Sequence, residues 1–98
     1  MNWESEIAEL EQRRRWAEEM GGEANIARQH DAGRLTIRER IAQLTDVGSF
    51  QEVGKLTGSA TYDGTRVDKV TPAPYVAGLA QLAGRPVAIG GEDFTVRG

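Results

Sequence analysis

Cysteine is absent from the chain, which excludes disulfides, thiolate nucleophiles and cysteine-ligated zinc together. Histidine occurs once, at His30, with no second histidine or cysteine to supply metal-ligand spacing, so no metal site is expected. Aromatic residues make up only 6% of 98 residues, and a core built from so few large side chains is thin for its surface. Long apolar runs are missing too. None approaches the roughly 20 residues that cross a bilayer, and Met1-Asn2-Trp3-Glu4-Ser5-Glu6 is acidic and lacks the apolar stretch of a secretory signal. The expectation is a cytoplasmic chain with no membrane partner. Positive charge is not in excess either: the net charge is −3, which gives no general pull toward nucleic acid.

The charge that is present is divided unevenly. Residues 1–46 hold seven Lys/Arg and ten Asp/Glu, whereas residues 47–98 hold five of each. The acidic excess therefore lies in the first part, where helical spacing is also strongest. Trp3, Ile7, Leu10, Ala17 and Met20 recur three and four apart, so residues 2–20 read as a helix interrupted at its apolar stripe by Arg14. Arg13-Arg14-Arg15 is flanked by Glu9, Glu11, Glu18 and Glu19, the pattern of a solvated, ion-paired face, with ligand or partner contact as the alternative. Gly21-Gly22 ends that helix, and Glu23–Ala32 forms a second one closed by Gly33. His30, near that helix end, reads as a capping or surface residue, with ligand contact as its alternative.

The best-punctuated stretch runs from Gly33 to Phe50. Thr36 and Glu39 stand at capping-box spacing, and Ile37, Ile41 and Leu44 follow at helical intervals. Gly48 is positioned to end that helix in the left-handed conformation. Beyond it, Phe50–Leu56 fits a strand and Gly58–Pro74 reads as a long loop around the Asp63-Gly64 turn signal. Tyr75–Leu82 and Arg85–Gly90 read as two strands joined by Ala83-Gly84. Residues 92–98 read as a further extended stretch that stops abruptly, so a truncated chain is expected. Glu92 and Asp93, adjacent in an extended stretch, point to opposite faces and cannot serve as one acid/base pair; one would line a surface and the other cap a turn. Gly90-Gly91 reads as a bulge or bend, with amide exposure to an oxyanion or close approach of another chain as alternatives. No phosphate loop, dinucleotide fingerprint or nucleophile elbow is present, and no catalytic residue is assigned.

Three groups of residues, in order along the chain, resemble a known pattern. Ala27-Arg28-Gln29-His30 through Gly33-Arg34-Leu35-Thr36-Ile37-Arg38-Glu39-Arg40-Ile41, with Asp46-Val47-Gly48-Ser49-Phe50-Gln51-Glu52, is similar to A-R-Q-H-x-x-G-K-L-T-A-R-E-R-I and D-x-G-S-F-x-E. Val76-Ala77-Gly78 with Gly84-Arg85-Pro86-Val87 is similar to V-x-G and G-R-P-V, and Asp93-Phe94-Thr95-Val96 to D-F-T-V. Those patterns belong to the N-terminal region of carboxyltransferase (beta) subunits of biotin-dependent acyl-CoA carboxylases, the propionyl-CoA carboxylase group. Arg34 stands where lysine is usual, Ile37 where alanine is usual, and Thr71–Tyr75 and Ala83 also depart from the pattern, which leaves the acyl substrate open.

The resemblance implies an α+β chain: a helical N-terminal outrigger (1–46) followed by the opening strands of a crotonase-like (ββα) carboxyltransferase domain (47–98). It implies transfer of a carboxyl group from carboxybiotin to the α-carbon of an acyl-CoA, with the oxyanion-holding turns beyond residue 98 and no cofactor bound directly by this chain. Implied partners are the remainder of the subunit, further copies in a homo-oligomer, and a biotin carboxylase or biotin carrier subunit. Arg34, Arg38 and Arg40 are the candidates for CoA phosphate contacts or inter-subunit ion pairs. The alternative function is a non-catalytic module that docks through its helices and open sheet edge.

Overall fold

The computed structural model describes residues 2–97. Met1 and Gly98, which fall within the expected acidic start and final extended stretch, lie outside the described residues. Three helices precede five strands among those described: α1 (Glu4–Glu18), α2 (Glu23–Asp31), α3 (Ile37–Leu44), then β1 (Gln51–Val53), β2 (Gly58–Asp63), β3 (Arg66–Pro72), β4 (Tyr75–Leu82) and β5 (Arg85–Glu92). No helix among them is long and apolar enough to cross a membrane.

The capping box forms as the sequence requires. The Glu39 amide donates to Thr36 Oγ1 at 3.2 Å, and the Thr36 amide donates to Glu39 Oε1 at 2.9 Å. Two of the unpaired amides of α3 are satisfied in this way. Gly48 has a left-handed backbone (φ 74°), but not as the cap of α3. That helix stops at Leu44 because Thr45 turns extended, and its Oγ1 donates back to the Ile41 carbonyl at 2.7 Å. Gly48 instead serves the loop that follows.

Strands β1, β4 and β5 form one antiparallel sheet in the order β1-β4-β5. The β4–β5 hairpin is the regular one, pairing Leu82 with Arg85 across the turn and running to Tyr75 opposite Glu92. Ala83 (φ 52°) and Gly84 (φ 78°) both take positive φ, the two-residue geometry that matches the twist of the flanking strands. Helix α3 lies over β4 and β5. Ile41, Val76 and Ala80 are buried in that layer, and Ala17 and Val70 are buried where α1 lies on β3.

Four further expectations are corrected. Gly58–Pro74 is a hairpin rather than a loop: β2 pairs with β3 around Gly64-Thr65, with a register shift between Thr61 and Tyr62. Every residue of β2 is exposed, so no two-residue hydrophobic alternation marks it; its Thr and Tyr and the Asp63-Gly64 turn were the available signals. Residues 93–97 form a turn rather than a strand. The Val96 and Arg97 amides both donate to the Asp93 carbonyl, and Asp93 Oδ1 accepts from the Thr95 amide (3.0 Å) and hydroxyl (2.6 Å). An aspartate that offers local bonds competes with ladder pairing. Gly90 and Gly91 sit in regular register opposite Ala77 and Val76, with no bulge. A Cβ at Gly91 would lie 2.3 Å from Ile37 Cδ1, and one at Gly90 2.8 Å from Tyr75 Oη. These glycines let α3 and the Tyr75 ring come close to β5. The strand expected over Phe50–Leu56 shortens to Gln51–Val53, ended by the turn at Gly54 in which the Thr57 amide donates to the Gly54 carbonyl.

Candidate functional site

The residues that carried the resemblance converge on the joints of the fold. Asp46 is the clearest. Its carboxylate accepts from the Ala83 amide (2.9 Å) and the Gly84 amide (2.8 Å), while its own amide donates to the Gln81 carbonyl. A short acidic side chain after α3 thus holds the exposed amides of the β4–β5 turn. Ser49 extends the grip, its Oγ accepting from the Gln81 amide at 3.0 Å. Phe50 packs so close to Gly78 that a Cβ there would lie 2.8 Å from its ring, and 2.2 Å from the Gln51 carbonyl oxygen.

Asp93 and Thr95 make a second joint. Thr95 Oγ1 donates to Asp93 and accepts from the Gly21 amide at 2.9 Å, so the turn after β5 is fastened to the α1–α2 connection. Both side chains are buried. Gly21 has no room for a side chain, since a Cβ would lie 1.7 Å from the Thr95 carbonyl oxygen. Asp93 caps its turn and Glu92 is exposed, the division expected of this pair.

The three candidate arginines are not brought together. Arg38 reaches back to β1 and makes a bidentate pair with Glu52, Nη1–Oε1 at 2.7 Å and Nη2–Oε2 at 2.9 Å. It is part-buried, and its Nε has no hydrogen-bond partner. Arg34 is exposed at the α2–α3 corner, and Arg40 is exposed on α3. Only Arg40 lines the open cleft of about 340 Å³ between the α2–α3 corner and the end of β5, with Gln29, Leu35, Gly91, Glu92 and Phe94 among its other walls.

Beside that cleft, His30 Nε2 lies 2.7 Å from Glu39 Oε1. That hydrogen bond, followed by the one from the Thr36 amide, lowers the Glu39 carboxyl to about 2. Glu18 is also held below the usual carboxylate range, chiefly by its hydrogen bond with Lys55, and Lys69 pairs with Glu19 with its ammonium 5.9 Å from the centre of the Trp16 ring. Both ion pairs tie α1 to the strand region. No cluster of metal-ligating side chains occurs among the described residues. The cleft offers a guanidinium, the Glu92 carboxylate, an amide side chain and an apolar floor, which suit a polar or amphipathic group, and the imidazole beside it is engaged with Glu39.

Residues 28–98 match the carboxyl transferase domain model. The chain belongs to that family. The carboxyl transferase chain is 38% identical over 96 residues to the methylmalonyl-CoA carboxyltransferase 12S subunit of Propionibacterium freudenreichii subsp. shermanii, covering 97% of this chain and 18% of the relative. It is 39% identical over 92 residues to the mitochondrial propionyl-CoA carboxylase beta chain of Homo sapiens, covering 91% of this chain and 17% of that one. A transcarboxylase 12S crystal structure, described as showing hexamer assembly and substrate binding to a multienzyme core with methylmalonyl-coenzyme A and methylmalonic acid bound, matches with a TM-score of 0.80 at 37% identity. That match covers 100% of this chain and 19% of the other. The helices-then-antiparallel-strands arrangement is therefore that of the crotonase-like 12S fold. The carboxyl transferase chain spans under a fifth of the length of the relatives it matches.

Proposed function

We infer that this chain serves as the N-terminal architectural part of an acyl-CoA carboxyltransferase subunit. In that reading the complete subunit moves a carboxyl group from carboxybiotin, presented by a partner carrier protein, to the α-carbon of an acyl-CoA. Residues 1–46 act as the helical outrigger and residues 47–98 open the crotonase-like core. The single observation that carries this is the likeness to carboxyl transferase subunits along the whole chain, supported by the joint-forming roles of residues that carried the resemblance: Asp46, Ser49, Gly78, Gly84, Asp93 and Thr95. These fasten elements to one another and bring no acid, base or nucleophile to a substrate. The chemistry then depends on amides elsewhere in the subunit that stabilise developing oxyanions.

Arg40, with Arg34 at the adjoining corner, would meet CoA phosphates or a neighbouring subunit at the cleft, whereas Arg38 is committed to Glu52. Assembly as a homo-oligomer with a biotin carboxylase or biotin carrier subunit, in the cytoplasm, completes the reading. A chimera tests it: residues 1–98 replace the corresponding part of the Propionibacterium 12S subunit. The expected result is an assembled protein that still transfers carboxyl groups from methylmalonyl-CoA. A chimera that folds and assembles yet transfers none would overturn it.

A further inference from the structure

Among the described residues, α1 rests on the β2–β3 hairpin and on no other element, and neither strand of that hairpin lies against α3 or the three-stranded sheet. Two groups result, each with its own buried apolar residues. Helix α1 and the hairpin bury Ala17 and Val70, whereas α3 and the sheet bury Ile41, Val76 and Ala80. Lys69 of β3 fastens the first group further, pairing with Glu19 beside the Trp16 ring. The chain crosses between the groups three times, the first by way of α2, and glycine or proline marks each crossing. After α1, Met20 (φ 53°) and Gly22 (φ 93°) are both left-handed. After β1 the backbone turns at Gly54 (φ 76°), and after β3 Pro72 and Pro74 bracket Ala73. These last two crossings lie side by side, because the Ala73 amide donates to the Thr57 carbonyl at 2.9 Å. What joins the groups elsewhere is mainly polar. The Gly21 amide donates to Thr95 Oγ1 at 2.9 Å, and a cavity of about 10 Å³ with Arg38, Glu52 and Asp93 in its walls separates Ala17 from the sheet.

We propose that α1 and the β2–β3 hairpin move as one lobe against α3 and the sheet, turning on the paired connections at Gly54 and Ala73, with the Gly21–Thr95 hydrogen bond as the catch. A hinge of this kind confines its rotation to a few residues between rigid elements. Gly54 and Ala73 take up that rotation, while Pro72 and Pro74, with φ fixed, hold the strand ends on either side. Packing and the Lys69–Glu19 pair bind α1 to β3, so a displacement of the hairpin carries α1 with it although the two are far apart in sequence. The lobe therefore joins the first helix of residues 1–46 to a hairpin from residues 47–98. It is independent of the proposed carboxyl transfer.

The chain has no cysteine, so thiols introduced in pairs at exposed positions can carry spin labels: Glu11→Cys on α1, Thr61→Cys on β2 and Ala88→Cys on β5. Pulsed electron paramagnetic resonance then gives a distance distribution for each pair. The expected result is a single narrow distance between α1 and β2, with a second population besides the closed one in both the α1–β5 and β2–β5 pairs. Thr95→Val should raise that second population about fivefold, the effect of losing one net hydrogen bond, and should do so in the two β5 pairs together. Thr95→Ser, which keeps the hydroxyl, should return it to the parent level. Three narrow distributions that Thr95→Val leaves unchanged would overturn the proposal, as would an α1–β2 distribution as broad as those to β5. A second population that is the same in the parent and in Thr95→Val would overturn the catch.

Discussion

Replacing Arg38 with methionine removes a bidentate ion pair whose two side chains are only 21% and 12% exposed. The carboxylate of Glu52 is then left mostly out of water with no counter-charge. Breaking a buried pair in this way costs ~3–5 kcal/mol, and the partial exposure places Arg38→Met near ~3 kcal/mol. Glu52→Leu costs less, ~2 kcal/mol, because the long arginine stem can carry its charge outward. Arg38 Nε already lacks a partner, a standing cost of ~1–3 kcal/mol in the parent. Arg38→Met/Glu52→Leu should therefore lose only ~2 kcal/mol, not the ~5 kcal/mol of two independent losses. Urea unfolding followed by far-ultraviolet circular dichroism measures all four chains. For a domain of this size the Arg38→Met loss lowers Tm by roughly 12–24 °C. Additive losses in the double variant would refute the ion pair as the reason for the arginine, and would return Arg38 to the candidates for substrate contact.

Thr36→Ala should destabilise by ~1 kcal/mol through loss of the α3 cap, read from the same urea curves; no change would mean that the capping box adds nothing. The depressed Glu39 carboxyl makes stability pH-dependent in one direction. Its folded value, about 2, lies below its unfolded value of 4.5, so its contribution is fully present above 4.5 and is lost as pH falls from there toward 2. Glu39→Gln should flatten that part of the stability–pH curve, and an unchanged slope would disprove the assignment. Asp46→Ala should free the Ala83 and Gly84 amides, at a cost of ~1–3 kcal/mol, and speed hydrogen exchange at those two amides relative to the centre of β4; uniform exchange would contradict the clamp. Gly21→Ala should be among the most damaging single changes, because its new methyl group meets the Thr95 carbonyl; near-parent thermal stability would show that the α1–α2 connection is not held as described.

The family pattern was legible in the sequence because its residues recur in a fixed order and spacing along the chain. The separation of Glu92 from Asp93 followed from their adjacency. The reasons for Asp46, Gly78 and Thr95 were not legible, since each meets a residue distant in sequence: Asp46 meets Ala83 and Gly84, Gly78 meets Phe50, and Thr95 meets Gly21. Arg38 looked like Arg34 and Arg40 in the string of residues. The fold gave it a different partner by placing Glu52 of β1 within reach of its guanidinium.

By itself the sequence determined where its three helices lie and where α3 starts, because caps and three-to-four-residue spacing act within a few residues of one another, whereas α3 ends at Leu44, short of the expected Gly48. Thr36 and Glu39 find each other across a single turn whatever the rest of the chain does. It also determined the tight Ala83-Gly84 reversal, which needs only positive φ at two successive positions. The pairing of β2 with β3 was settled by the tertiary structure, since Asp63-Gly64 marks a turn but a strand exposed along its whole length leaves no hydrophobic alternation to read. The turn after Glu92 draws on both, since Asp93 bonds its own neighbour Thr95 while its amide donates to the carbonyl of the distant Pro74. Bonds within a turn are written into neighbouring residues, whereas bonds between elements depend on which surfaces the folded chain brings together.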